Sequence, residues 1–333
     1  MLWNGTVWAD LAEDAKAAML RKEYGTALSI FKLLSDQGDA NASLSLGRMY
    51  AYGQGVPESE SEGFKWYLLA AERGNLSALH YVASSYEGSS VVKEDRAEAI
   101  RWYRIGAAKG DAKSLNSLGR IYVYGQGVVK DPVEGVRWYR LAADQGDVNA
   151  LNELGRLFGF GFGGVIRDDA ESARLYAVSA AQGDSSAQFL LGLRYQRGVG
   201  VPTNYSEALQ LYRLSAAQGN WAGQLQLGEM YEKGQGVLMD YMKAVEWYRF
   251  SAQKSEIEGI QGQIKLGQMY FKGRGVLQDY RRAHMWFNLA AVNGNVEAAK
   301  NRGMAAKLMT DQQLAEAQKM ALDCQATGLQ DCD

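Results

Sequence analysis

Little in this 333-residue sequence is equipped for covalent chemistry. It holds two cysteines and two histidines. His80 and His284 stand far apart, no Cys–His or Ser–His pair can be argued, and neither HExxH nor a paired CxxC occurs. No catalytic residue, metal ligand or cofactor is therefore assigned. Proline is almost missing: Pro57, Pro132 and Pro202 each fall just after a glycine-rich loop, near the start of a helical stretch, where a lost N–H costs little. Neither sign of charge dominates. Lys plus Arg number 36 against 38 Asp plus Glu, a net charge of −2, and no basic stripe appears, which argues against nucleic acid as a partner. No apolar run reaches the length of a membrane span, so membrane insertion is not expected. The opening MLWNGTVWADLAEDAK has no charged n-region and no apolar core of signal-peptide length. The expectation is a chain that is cytoplasmic or stands without its signal.

What the sequence has in excess is one repeated phrase. LGRMYAYGQGV starts at Leu46, LGRIYVYGQGV at Leu118, LGLRYQRGVGV at Leu191, LGEMYEKGQGV at Leu227 and LGQMYFKGRGV at Leu266, with weaker copies at Val82 and Leu154. Most steps are 36 residues. A period of this size means stacked supersecondary units, each contacting only its neighbours.

Within a unit, Ala42, Leu46, Met49 and Tyr50 share one side of a first helix, A, which the glycines at 53 and 55 end. The A helices are expected at about residues 40–52, 76–88, 112–124, 148–159, 185–197, 221–233 and 260–272. A second helix, B, opens on a favoured N-cap residue: Ser59, Asp95, Asp131, Asp168, Asn204, Asp240 or Asp279. Glu62, Glu98, Glu134, Glu171 and Glu207 follow three residues on, predicting capping boxes in five of seven copies. Helix B carries the large aromatics, such as Trp66-Tyr67, Trp138-Tyr139 and Trp247-Tyr248, spaced as core knobs.

This set of positions resembles the Sel-one-like repeat family, relatives of tetratricopeptide repeats, over about residues 40 to 300. The resemblance implies an all-α, right-handed α-solenoid of about seven helix-turn-helix repeats with the A helices lining a concave face. It implies adaptor or scaffold roles, often in bacterial envelopes or secretion. The expected organisation is a helical cap at 1–38, a seven-repeat solenoid at 39–296, and a half repeat, capping helix and cysteine-containing tail at 297–333. Some cysteine-rich branches of the family have been labelled β-lactamases. This chain has no cysteine inside its repeats, so that activity does not carry over. Irregularities are expected at Ser89 and Val91, at the 158–165 loop, and in the lengthened turn from Ser251 to Gly262.

The face of helix A opposite its buried side defines a candidate groove. It carries Arg48, His80, Asn116, Arg120, Asn152 and Arg156 in the first four copies, then Phe189, Leu193, Leu225 and Glu229. Arginine forks suit carboxylates, and exposed apolar residues suit a partner. The expected function is non-enzymatic binding of a protein or peptide, periplasmic or secreted. The alternatives are a cytoplasmic home, a cell-wall or β-lactam hydrolase, and a structural spacer. A monomer is the default. Replacing Arg120 and Arg156 with Glu is expected to abolish binding without altering the melting temperature. Cys324 and Cys332 are two surface thiols or one disulfide closing a small loop. A tail unable to bury a core gains from the latter, which requires an oxidising compartment.

Overall fold

The computed structural model describes residues 3–253, 258–292, 294–329 and 332, with side chains from residue 10 onward. Residues 254–257, part of the lengthened turn after Ser251, lie outside the described residues. Among the described residues there are eighteen α-helices and no strand. Two compact units divide the chain at residues 1–166 and 167–333.

The first unit opens with the hairpin α1 (Trp3–Leu20) and α2 (Tyr24–Asp36). Three A/B pairs follow: α3 (Ala40–Ala51) with α4 (Glu60–Glu72), α5 (Leu76–Gly88) with α6 (Arg96–Ala108), and α7 (Ala112–Tyr124) with α8 (Pro132–Ala143), before the A helix α9 (Val148–Phe160). Each helix packs on the one before it. The second unit begins with the B helix α10 (Asp169–Ala181). It continues through α11 (Ser185–Arg197), α12 (Tyr205–Ala217), α13 (Trp221–Lys233), α14 (Tyr241–Ala252), α15 (Ile260–Lys272) and α16 (Tyr280–Ala291), and ends in α17 (Val296–Ala306) and α18 (Asp311–Ala326). Both α17 and α18 pack on α16. The A helices start and stop within a residue of the spans read from the periodicity.

Every expected B-helix N-cap is in place. Asp131, for example, accepts from the Glu134 amide at 3.0 Å. The capping boxes are a correction. In six of the seven copies the amide of the cap is already committed to a tyrosine carbonyl at the end of helix A, as in Asp95 to Tyr86 and Asp131 to Tyr122, both at 2.8 Å. That bond closes the A–B turn and leaves the glutamate no cap amide to reach. Glu62, Glu98, Glu134 and Glu171 instead pair with Lys65, Arg101, Arg137 and Arg174 one turn on. A full capping box does form at Thr310 and Gln313, opening α18. A second row of caps escaped the sequence reading: Asp39, Asn75, Asp111, Asp147, Asp184, Asn220 and Asn295 start α3, α5, α7, α9, α11, α13 and α17.

The aromatic pair also needs correcting. The tyrosine of helix B is the deeper member: Tyr139 is 1% exposed, while its neighbour Trp138 is only half-buried. The repeating glycine explains why. A Cβ on Gly119 would lie 2.5 Å from the Tyr139 ring, and one on Gly228 would lie 2.6 Å from the Tyr248 ring. At these positions the bare backbone of helix A lets the ring of helix B dock closely, while in the second copy the small Ala83 takes the same place in the core with Tyr103. The loop glycine has a different task. Gly125 ends α7 at φ 71°, a left-handed conformation that an L side chain resists. In the second copy α5 instead ends through the extended Ser89.

At the far end, Cys324 is buried beside Ala305 and Ala321. It is bonded to Cys332, with their Cα atoms 4.8 Å apart.

Candidate functional site

The A helices carry the candidate groove residues, one in each of the first two repeats and two in each of the next four. Their local placement follows from helix geometry, since positions three and four apart share a face. In the first unit, Arg48 lies exposed in the last turn of α3. His80, Asn116, Arg120, Asn152 and Arg156 are half-buried. The His80 ring sits 5.6 Å from that of Tyr103. Burial pushes its pKa below the ordinary histidine value, partly countered by Asp111 and Glu87.

Arg120 is not a free fork. Its Nη2 donates to both oxygens of Glu87, at 2.7 and 2.6 Å, and its Nη1 donates to Gln126. Burial works against its charge, yet the Glu87 hydrogen bond and field leave its pKa raised. The Tyr103 hydroxyl donates to the same carboxylate at 2.8 Å. Arg156 is likewise engaged. It donates to Glu153 Oε2 from Nη2 at 2.8 Å and to the Tyr124 hydroxyl at 2.8 Å. The ring of Phe162 lies 6.0 Å from its guanidinium and 4.5 Å from Lys130 Nζ. Between the two arginines sits the buried Tyr139, whose pKa is raised by burial first and by Glu153 next. The structure thus gathers His80, Arg120 and Arg156 with Glu87, Glu153, Tyr103 and Tyr139 into one polar ladder joining α5, α7 and α9.

In the second unit, Phe189 and Leu193 are half-buried, with the Phe189 ring tilted against that of Tyr212 at 6.3 Å. Leu225 is a correction: at 8% exposure it belongs to the core and offers a partner no surface. The equivalent residue on α11, Phe189, is half-buried, whereas on α13 and α15 Leu225 and Ile264 lie in the core. Glu229 takes Lys233 at 2.7 Å and Lys265 at 3.1 Å, and Lys265 also reaches Glu232 at 3.7 Å. Burial alone would raise the Glu229 pKa, but the two lysines hold it below the usual carboxylate range. The Tyr248 hydroxyl donates to Glu232 at 2.6 Å.

Sequence reasoning passed over Glu153 and Lys265. Both stand two residues before the repeat glycine, one position round from the face chosen. A signal existed, because Glu153 precedes Arg156 by three residues and Lys265 is the cation that answers two carboxylates one repeat earlier. Chemically, these ladders hold charge in place through paired side chains. Both cysteines are spent in one bond, and neither His80 nor His284 has a partner on Nδ1 among the described residues. No group of His, Cys, Asp and Glu among the described residues could hold a metal ion. No described helix is long and apolar enough to cross a membrane.

Comparison with known proteins agrees with this architecture. No curated protein matches the sequence. Among solved structures, a Sel1 repeat protein from Oxalobacter formigenes is 31% identical, covering 72% of this chain and 98% of its own, with a TM-score of 0.64. The protein c5321, a protective antigen present in uropathogenic Escherichia coli strains and displaying an SLR fold, is 26% identical. That match covers 94% of this chain and 93% of its own, with a TM-score of 0.53. The Sel1 repeat itself matches seven times, at residues 40–75, 76–111, 112–147, 148–184, 185–220, 221–255 and 260–295. Proteins built from this repeat are generally protein-interaction scaffolds and typically not enzymes. With its seven matched repeats, the chain belongs to the Sel1 repeat family.

Proposed function

We propose that this chain is a non-enzymatic adaptor that binds a protein or peptide across the face of its A helices. One observation carries the reading. That face is laid out repeat by repeat with side chains pre-positioned by cross-repeat pairs, such as Arg120 on Glu87 and Lys265 on Glu229. A surface already ordered loses little side-chain entropy when a partner lands on it. Charge on the ladders is largely neutralised from within, so the partner's grip comes from the open elements of each unit: Arg48 and the Phe162 loop in the first, and the half-buried Phe189 and Leu193 in the second. The hydrolase alternative gains no support: among the described residues both cysteines are bonded to each other and neither histidine has a partner on Nδ1.

An oxidising home, the bacterial periplasm or the exterior, is part of the same proposal. Its support is the Cys324–Cys332 bond and the likeness to a protein described as a protective antigen. The test is cross-linking and affinity capture from the envelope fraction with three proteins: the wild type, Phe189→Ser with Leu193→Ser, and Arg137→Glu on the exposed side of helix B. A partner lost by the double variant and kept by Arg137→Glu supports the A-helix face. The opposite pattern moves the binding surface to helix B.

A further inference from the structure

The terminal hairpin and the first A helix flank an open cleft of about 370 Å³, at the lower end of the size range of ligand pockets. One side is apolar: Met19 and Leu20 at the end of α1, and Phe31 on α2. Leu20 is 87% exposed and available to a ligand, while Phe31 is 4% exposed. The other side holds Lys16, Arg48 and Gln54. Lys16 shares its charge with Glu13 at 2.7 Å, in a pair whose two side chains are 64% and 72% exposed and which solvent weakens. Arg48 differs from the arginines at the same position two and three repeats on. Arg120 is occupied by Glu87 and Arg156 by Glu153, whereas Arg48 meets no carboxylate among the described residues. The first repeat therefore keeps the one unneutralised guanidinium at this position, and it does so beside an apolar floor.

We infer that this cleft binds the C-terminal residue of a partner chain, its free carboxylate on Arg48 and its apolar side chain against Met19, Leu20 and Phe31. The inference rests on the reading of this protein as a peptide binder and names one subsite of it. The chemistry selects the occupant. An anion must meet the fork while an apolar group a few ångströms away fills the cleft, and a chain terminus carries both on a single Cα. An internal Asp or Glu has its carboxylate at the tip of its side chain and nothing beyond to cover the floor. Gln54, in the A–B turn, supplies an amide for the peptide group just before the terminus.

The experiment is isothermal titration calorimetry of the full chain with N-acetyl-Gly-Leu-Leu as the free acid, the same peptide as its C-terminal amide, and octanoate. The free acid is expected to bind, and the amide about tenfold or more weaker, the loss of a charge-assisted contact. Arg48→Gln should erase that difference while leaving the circular-dichroism melt unchanged, and Arg156→Gln should leave the difference intact. Equal binding of acid and amide, no binding of the acid at millimolar concentration, or an Arg48→Gln protein that still prefers the acid overturns the inference. Octanoate binding as tightly as the peptide also overturns it, by assigning the cleft to aliphatic carboxylates. If Arg48→Gln keeps a captured partner that Phe189→Ser with Leu193→Ser loses, the adaptor reading stands and this subsite alone falls.

Discussion

The hydroxyl of Tyr103 donates to Glu87 at 2.8 Å from a ring that is 1% exposed. The pattern recurs four residues beyond the repeat position of the glycine, where Gln196 accepts from Tyr212 at 2.9 Å and Glu232 from Tyr248 at 2.6 Å. A buried hydroxyl without a partner costs on the order of 1–3 kcal/mol. The A-helix residue at this position therefore serves the core of its own repeat before it can serve a partner.

The first prediction separates the two aromatics of helix B. Tyr139→Ala should destabilise by ~3–5 kcal/mol, as for large core aromatics, and Trp138→Ala by clearly less. Urea titrations of both variants measure the difference. Equal losses would contradict the depth assigned to each ring.

The caps give a second contrast. Asp131→Ala should cost about 1 kcal/mol through a lost N-cap. Glu134→Ala should cost less than about 0.5 kcal/mol, because its bond is an exposed pair with Arg137 at 2.9 Å and no reciprocal cap bond. Thermal melts that show Glu134→Ala to be as harmful as Asp131→Ala would restore the capping box.

A third concerns Arg120. Since its fork lies on Glu87, Arg120→Glu sets two carboxylates face to face and strands the Tyr103 network. It should lower stability by ~1–3 kcal/mol, against the expectation from sequence that melting would not change. Guanidinium-free thermal unfolding at two salt concentrations tests this. A melting temperature equal to the wild type's would mean that the pair contributes nothing.

The fourth is a pH dependence. Burial, followed by the Arg302 charge, lowers the pKa of His284, and burial lowers that of His80. The unfolded chain keeps the ordinary value near ~6.5, so below it the unfolded state binds more protons than the folded one. Stability should therefore fall as pH drops below about 6.5, until the folded-state values are passed. Replacing both histidines with Gln should flatten the melting temperature between about pH 7 and about pH 5. An unchanged slope would place its origin elsewhere.

The repeat, the helix limits and the B-helix caps could be read without coordinates, because each depends on bonds spanning about four residues and on a period that announces itself. The second row of caps is equally local, as in Asp39 before α3 and Asn220 before α13. The site was harder to read. Arg48, Arg120 and Arg156 are chemically the same residue at the same repeat position, yet one is open and two are paired. The partner of Arg120 lies 33 residues back, at Glu87, and that of Glu229 lies 36 residues ahead, at Lys265. Which of Trp138 and Tyr139 goes inward, whether Leu225 faces out, and where a cleft opens beside α1 likewise depend on how one helix settles on the next. Local sequence determines each helix and its ends through short hydrogen bonds. Charge pairing and burial between helices are set by packing angle and phase, and those exist only once the repeats have stacked.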